Sequence, residues 1–272
     1  MLTLHTNYTL GSYQADRDDF LERRENLPLY NDPTAPSVPP HFDGGSSIAI
    51  GFGLDLLNNS IASINNWLAN LGPLSFHDEQ LINQAKALAI KNEATLIPIA
   101  SQFELNLQSF SNAVTVLDAI LATKEGELNQ LLASRGIVLD QSRERAALVS
   151  LYFNGRPKYN AQGQVVSHNL IGPNLLNALA NGNRAEAWYE IRYQTNRERI
   201  TDRRVAGGIA IRRYAESDTF GLYENAPLTD AEAKSIFRMY TAHRDVIQTY
   251  ESDSWNRKGA RLLSLRYGET AA

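Results

Sequence analysis

The sequence contains no cysteine and no long apolar run, and each absence excludes a class of protein. Without cysteine there is no disulfide framework, no thiolate zinc site and no cysteine nucleophile. No apolar stretch approaches the roughly 18 residues that a membrane helix requires, so the sequence predicts no membrane span. The first 20 residues lack early basic residues, an apolar core and a small-residue cleavage pattern, which predicts synthesis in the cytoplasm without a Sec signal.

The composition is that of a globular protein and argues against nucleic acid as the main partner. The 272 residues are 43% hydrophobic, and 26 basic against 30 acidic residues leave a net charge of −4. No aromatic residues are interleaved among the basic ones in the manner of a nucleic-acid surface. A chain this long buries about 70–75% of its extended surface, enough for one large domain or two lobes. The five histidines show no metal-ligand spacing, so we expect neither a metal nor another cofactor.

The pattern of the chain changes near residue 56. Residues 31–47 hold four of the ten prolines and a Gly-Gly pair, which indicates a long loop or irregular hairpin. Residues 47–57 then predict a short strand that breaks at its glycines. Beyond them, apolar residues recur at helical spacing, and Pro98 is expected to kink or end the second helix of the series. The predicted helices cover 59–71, 81–96 after a cap at Ser75, 110–121, 125–132, 142–153, 173–179, 184–193, 199–217, 230–250 and 257–267.

Acidic residues flank the Pro/Gly segment. Glu25 ends a charged helix-like run that starts at Asp16, so helical backbone would hold its carboxylate beside the loop. Asp32, Asp43 and Asp55 follow within the loop and the strand. Hydrolysis of a glycosidic bond needs two carboxyl groups in different surroundings, one protonated to donate to the leaving oxygen and one ionised. The spacing allows such a pair but does not demand it.

Three segments, in this order, resemble the phage-type lysozymes and the pesticin-like muramidase toxins that share their fold. The first runs from Glu25 to Asp32 (ENLPLYND) and resumes at Ser46–Leu56 (SSIAIGFGLDL), where Gly-x-Gly-x-Asp-Leu is closer to the toxins. The second, Arg145–Gly155 (RAALVSLYFNG), is similar to the central helix of the family. The third is the arginine-rich stretch 192–213.

The resemblance implies an α+β, predominantly helical fold with two lobes in a single lysozyme-like domain. Residues 1–56 would form the N-terminal catalytic lobe with its β-hairpin, and residues 57–142 a helical insertion or connection. Residues 143–225 would form the C-terminal helical lobe, and residues 226–272 a helical extension. The additions at 57–142 and 226–272 exceed what the phage enzymes have, which points to partner binding, inhibitor recognition or delivery.

The resemblance also implies catalytic roles. It places the general acid on Glu25 and requires an aspartate that orients or deprotonates the attacking water. Asp55 matches the toxin-like motif and Asp32 the phage-like one, and we prefer Asp55. The interval from Glu25 to Tyr30 is two residues shorter than is usual in the family, which leaves Glu22 as a competing acid.

Further residues match positions at which the family contacts its substrate. Tyr30 and Phe52 would line the sugar cleft, and Asn154 falls where the family places a polar side chain opposite the acid. Seven arginines lie between residues 192 and 213. They would either neutralise carboxylates of peptidoglycan or pair with internal acids, and both interpretations stay open.

One departure from the family concerns the attacking water. The threonine that holds this water in the family is replaced here by Ala49, so its hydroxyl is missing unless Ser46 or Ser47 takes its place. We therefore count Ser47 among the candidate substrate-binding residues.

The sequence thus predicts a peptidoglycan hydrolase, a muramidase that cleaves the β-1,4 bond between N-acetylmuramic acid and N-acetylglucosamine. It would act in the periplasm or cell wall of a target or host bacterium, as a phage lysin or as an antibacterial effector, which the toxin-like motif favours. An effector would imply an immunity protein as a further partner. Two alternatives remain: a wall-binding module that has lost turnover, and a lytic transglycosylase, which needs the acid but no water-activating aspartate.

Overall fold

The computed structural model describes residues 9–195, 203–224 and 227–252. It is mostly helical with small antiparallel sheets, which confirms the predicted α+β, predominantly helical class. No helix in these ranges is long and apolar enough to cross a membrane. The chain divides into two compact units, residues 18–123 and residues 1–17 with 124–272, and the boundaries fall within two of the helices.

Six helices and a three-stranded sheet lie wholly or partly within residues 18–123. Helix α1 has an amphipathic end, since Phe20 and Leu21 are buried while the residues around them carry charge. The elements are α1 Leu10–Glu25, α2 Leu27–Tyr30, β1 His41–Phe42, β2 Ile48–Ile50, β3 Leu54–Asp55, α3 Ile61–Trp67, α4 Phe76–Ala87, α5 Glu93–Ala100 and the first part of α6 Phe110–Ala133.

The sheet has the order β1-β2-β3, and its three strands are antiparallel. Gly51 and Gly53 make the turn from β2 to β3 with positive φ angles of 62° and 88°, as the predicted break at the glycines requires. A Cβ atom on Gly51 would lie 3.0 Å from the Leu107 side chain and 3.3 Å from that of Ala113. The turn therefore packs closely on the chain that leads into α6.

Two of the predicted helix boundaries in this unit are wrong. The helix expected over 81–96 is two helices, α4 and α5, because Leu88 takes an extended conformation and Asn92 begins α5 with a capping box to Thr95. Pro98 lies inside α5 and does not end it. The helices expected at 110–121 and 125–132 are one continuous helix, α6, which runs through Gly126.

The second unit is built around α7, most of whose side chains are buried. Ser142 caps its first turn by accepting a hydrogen bond from the Arg145 N–H, and the helix ends at Asn154-Gly155 as predicted. The further elements are β4 Pro157–Tyr159, β5 Val165–His168, α8 Pro173–Ala180, α9 Arg184–Tyr189 with a π-helical turn at Glu190–Gln194, α10 Arg203–Phe220, α11 Asp230–Ala242 and α12 Arg244–Ser252. The helix expected at 257–267 lies outside the described residues.

The hairpin β4–β5 was not predicted, and it is fixed by His168. This side chain is 4% exposed and stacks on the Tyr152 ring at 4.3 Å between centroids. Its Nδ1 accepts from the Leu170 N–H, so Nε2 carries the proton and donates to the Tyr152 carbonyl at 3.1 Å. Burial lowers the pKa of His168 to about 4, so the ring is neutral at pH 7.

We expect Gly155→Ala to destabilise the protein by about 1–3 kcal/mol, because overpacking forces neighbouring groups to move. A Cβ atom at Gly155 would lie 2.1 Å from the His168 ring and 2.6 Å from the Asn169 side chain. Gly126→Ala is the matched control: nothing lies within 4 Å of its added Cβ, and alanine in a helix interior is favoured by about 0.5–1 kcal/mol. Urea unfolding of both variants measures the difference, and equal midpoints would contradict the expected clash.

Candidate functional site

The end of α1 and the β2–β3 turn are joined by Asn26. Its Nδ2 donates to the Gly51 carbonyl at 2.9 Å, and its Oδ1 accepts from the Leu29 N–H at 3.1 Å, which caps α2. One side chain thus holds the last turn of α1, the short helix α2 and the glycine turn together. The end of α1 is consequently tethered to the hairpin that carries Asp55.

Glu22 is the acid of α1 with the most unusual surroundings. Its side chain is 9% exposed, and it makes no ion pair or side-chain hydrogen bond with the described residues. Burial, and to a smaller extent the charges of Asp18, Asp19 and Asp118, together raise its pKa to about 7. A carboxyl group that keeps its proton near neutral pH and has no partner among these residues is suited to donate that proton to a substrate.

Glu25, the residue to which the resemblance assigns the acid, is the last residue of α1 and is half-buried. It follows Glu22 by three residues, so both side chains lie towards one side of the helix. Its assignment as the acid stays a prediction. The surroundings of Glu22 make Glu22 the stronger candidate.

Tyr30 is held in a network that links α2 to α1. Its hydroxyl donates to Asp19 Oδ1 at 2.6 Å and accepts from Arg23 Nε at 3.1 Å. Arg23 Nε also lies 3.0 Å from Asp19 Oδ2, and its guanidinium stands 5.1 Å from the centroid of the Tyr30 ring. The hydroxyl of Tyr30 is therefore occupied, although its ring is half-buried and keeps some solvent contact.

Asp55 is the centre of a dense set of hydrogen bonds at the end of β3. Its Oδ1 accepts from the Ser47 hydroxyl and from the N–H groups of Leu57 and Asn58, both at 2.9 Å. Its Oδ2 accepts from Asn58 Nδ2 at 2.6 Å. The ammonium group of Lys86 is near enough for the Asp55 charge to favour its ionised form, although burial lowers the Lys86 pKa. These neighbours are donors or cations, as suits an ionised carboxylate.

Two predicted substrate-binding residues of the hairpin are turned into the protein. Ser47 is 1% exposed and its hydroxyl donates to Asp55, so it does not replace the missing threonine hydroxyl as a surface group. Phe52 is 2% exposed and packs edge-to-face on Phe110 with centroids 5.5 Å apart, so its ring belongs to the core rather than to an open cleft wall. The two side chains are buried for different reasons: Phe52 lies in the glycine turn that packs against α6, and Ser47 is held by its hydrogen bond to Asp55.

Asp32, the alternative water-activating residue, lies in the turn after α2. It is exposed, and its Oδ1 accepts from the Thr34 hydroxyl at 2.9 Å. The carboxylate of Asp55 accepts four hydrogen bonds, so it is more firmly positioned than that of Asp32. This difference favours Asp55 in a role that needs fixed geometry.

The other predicted residues lie in the second unit. Asn154 Nδ2 donates to the Ser150 carbonyl at 3.1 Å within its own helix. Of the arginines between 192 and 213, Arg192 pairs with Asp218 at 2.7 Å, and Arg212 and Arg213 pair with Glu216. For these three, pairing with internal acids is the interpretation that the contacts bear out. Arg197 and Arg199 lie outside the described residues.

A second carboxyl group with a raised pKa was missed by the sequence reasoning. Burial and the charge of Glu186 raise the pKa of Glu190 to about 7, while a hydrogen bond from Asn174 opposes the shift. Glu186 itself lies 2.7 Å from Nε2 of His243. The spacing of the two glutamates, one helical turn apart, is the sequence signal that could have indicated it.

No group of three or more His, Asp or Glu residues in the described ranges could hold a metal ion. Comparison of the chain with protein-family models, curated proteins and solved structures finds no match in any of the three. The features of the chain that bear on function are therefore the geometry at the end of α1 and the motifs of the sequence.

Proposed function

We propose that the protein is a peptidoglycan hydrolase that cleaves the β-1,4 bond after N-acetylmuramic acid. The observation that carries this proposal is the buried carboxyl of Glu22, which has no ion pair or side-chain hydrogen bond with the described residues and whose pKa is raised to about 7. Glycosidic oxygens are weak bases, and their departure requires a carboxylic acid that is still protonated at the working pH. The motifs that surround Glu22 supply the class of substrate, because they resemble those of muramidases.

Asp55 is the ionised partner in this proposal. Inverting glycosidases need a carboxylate that activates water on the face of the sugar opposite the acid. The hydrogen bonds from Ser47, Leu57 and Asn58 fix the Asp55 carboxylate, and they hold the hairpin that carries it. Pairing of Ala49 with Asp55 between β2 and β3 completes this support from the backbone side.

Lytic transglycosylation is the second candidate, and one observation favours it. Ala49 has no hydroxyl, and the Ser47 hydroxyl is committed to Asp55, so neither of these residues offers a group to hold an attacking water. Of the residues considered for this role, that leaves the exposed Ser46 alone. A transglycosylase needs no such water, since the muramic acid C6 hydroxyl closes the ring instead. The same acid, Glu22, would serve both reactions.

Digestion of purified sacculi followed by mass spectrometry of the released muropeptides tests the proposal. Hydrolysis is expected to give fragments with reducing N-acetylmuramic acid ends, which are heavier by the mass of one water than the 1,6-anhydro ends of transglycosylation. Anhydro products would select the second candidate. Sedimentation of the protein with sacculi without any release of muropeptides would contradict both and would indicate a binding module.

A further inference from the structure

The last two turns of α1 contain two neighbouring carboxyl groups with different surroundings. Asp19 is paired, whereas Glu22 has no ion pair or side-chain hydrogen bond with the described residues. Asp19 accepts from Tyr30 at 2.6 Å and from Arg23 at 3.1 Å, and these three residues are named here the Asp19 network. Glu22 follows Asp19 by three residues, the spacing at which helical side chains are neighbours. Tyr30 belongs to α2, so the network ties Asp19 to an element outside its own helix.

We propose that the Asp19 network is a positioning device for Glu22: Arg23 and Tyr30 hold the Asp19 carboxylate beside Glu22, where its charge opposes ionisation of the acid. The inference rests on the proposed function, in which Glu22 is the proton donor. It assigns to Tyr30 and Arg23 a role in the proton affinity of the acid, in place of the sugar contact that the resemblance implies for Tyr30.

The charges that act on Glu22 are negative. Asp18 and Asp19 face it from α1 and Asp118 faces it from α6. Among the cations of the same turn, Arg23 is engaged by Asp19 and Tyr30, and Arg24 lies 3.6 Å from the centroid of the Phe20 ring and donates to the Phe20 carbonyl.

The hydrogen bonds to Asp19 fix the position of its charge. Asp18 and Asp118 also oppose the ionisation of Glu22, and Asp19 adds a charge that two side chains hold in place, one of them on another helix. Arg23 partly offsets the Asp19 charge while holding it. Without Arg23 the Tyr30 hydroxyl still holds the Asp19 carboxylate, and its charge is no longer offset. Removal of the Asp19 charge should therefore lower the pKa of Glu22, and removal of the Arg23 charge should raise it.

The experiment compares Asp19→Asn and Arg23→Gln with the wild type in the full chain. Asp19→Asn keeps a hydrogen-bond acceptor and removes the negative charge, so the alkaline limb of the kcat/KM profile should move down by about half a pH unit. Arg23→Gln removes the positive charge and should move the limb up by a similar amount. Arg23→Lys keeps the charge and is expected to restore the wild-type profile. The alkaline limb reports the acid of the free enzyme.

Asp16→Asn is the matched control. Asp16 is an exposed aspartate of the same helix, six residues before Glu22 and about 9 Å away along the helix axis. It removes the same charge from α1 without touching the network, so its pH profile should coincide with that of the wild type. Circular dichroism confirms that each variant is folded. If only one of the two network variants folds, the direction of its shift in the pH profile still tests the inference.

Carbon-13 NMR of carboxyl-labelled glutamate gives a second readout that needs no activity. The Glu22 resonance, identified by its loss in Glu22→Gln, should titrate at lower pH in Asp19→Asn and at higher pH in Arg23→Gln. Shifts of equal sign, or none beyond that of Asp16→Asn, overturn the inference. If the protein cleaves no peptidoglycan but the opposite shifts appear, the proposed function fails and the network stands. Cleavage with unchanged titrations would instead support the proposed function and overturn the network.

Discussion

Glu22→Gln is expected to lower kcat for peptidoglycan cleavage by about 10²–10⁴-fold, the usual contribution of a general acid. Glutamine has the size and polarity of the acid but no proton to give to the leaving oxygen. Glu22 makes no ion pair or side-chain hydrogen bond with the described residues, so the substitution breaks no such contact. The loss should appear in kcat and not in sedimentation with sacculi, because binding does not need the proton.

Glu25→Gln separates the two acids of this helix. If Glu22 is the acid, the Glu25 variant should retain activity within about tenfold of the wild type, since it removes a neighbouring charge but no proton donor. Turbidity clearance and muropeptide release measure both variants under the same conditions. If the Glu25 variant is inactive and the Glu22 variant is active, the general acid is Glu25, as the family resemblance indicates.

The pH dependence of stability gives an independent measurement on Glu22. A carboxyl whose pKa is raised from 4.5 to about 7 in the folded state stabilises the fold fully below pH 4.5, and this stabilisation is lost as the pH rises through 7. Glutamine stays neutral at every pH. Glu22→Gln should therefore be more stable than the wild type at pH 8, by on the order of 2 kcal/mol, and similar to it at pH 4. Urea unfolding at the two pH values checks this, and equal effects at both would contradict the burial argument.

The sequence predicted the elements whose signals are local. The apolar stripe of helix α7 and its Asn154-Gly155 end predict this helix, and both signals lie within the helix or next to it. The strand that breaks at Gly51 and Gly53 was recognised because positive φ angles favour glycine whatever surrounds it. Such features are decided by a few neighbouring residues, and a single sequence shows them.

The elements and side chains that were missed depend on distant partners. The β4–β5 hairpin has short strands without regular alternation, and it is held by the stacking of His168 on Tyr152 in α7. The choice between Glu22 and Glu25 as the acid likewise depends on residues that are distant in the sequence. Both follow helical spacing, and what distinguishes Glu22 is its burial by the fold, to which the charge of Asp118 from a distant part of the chain adds. The burial of the aromatic ring in the glycine turn also follows from the packing of that turn against α6.

Loss of Glu216 is expected to have the largest effect on stability. Glu216 is fully buried, and its carboxylate accepts from the Ser150 hydroxyl at 2.7 Å, from Arg212 Nε at 3.2 Å and from Arg213. Arg213 is 2% exposed, so Glu216→Ala leaves its charge buried with one carboxylate fewer beside it. Breaking a buried pair in this way costs about 3–5 kcal/mol, because the remaining charge keeps its desolvation penalty.

Urea unfolding at pH 7 measures the loss, and Arg23→Gln supplies the comparison. Arg23 and Asp19 form a pair with the same four-residue spacing as Arg212 and Glu216, but their side chains are 34% and 48% exposed. Breaking an exposed pair should cost less than about 1 kcal/mol. The double variant Glu216→Leu with Arg213→Met removes both buried charges and is expected to recover part of the loss, since apolar replacements of a buried pair are often neutral. Equal losses for Glu216→Ala and Arg23→Gln would mean that water reaches Arg213 in the folded protein.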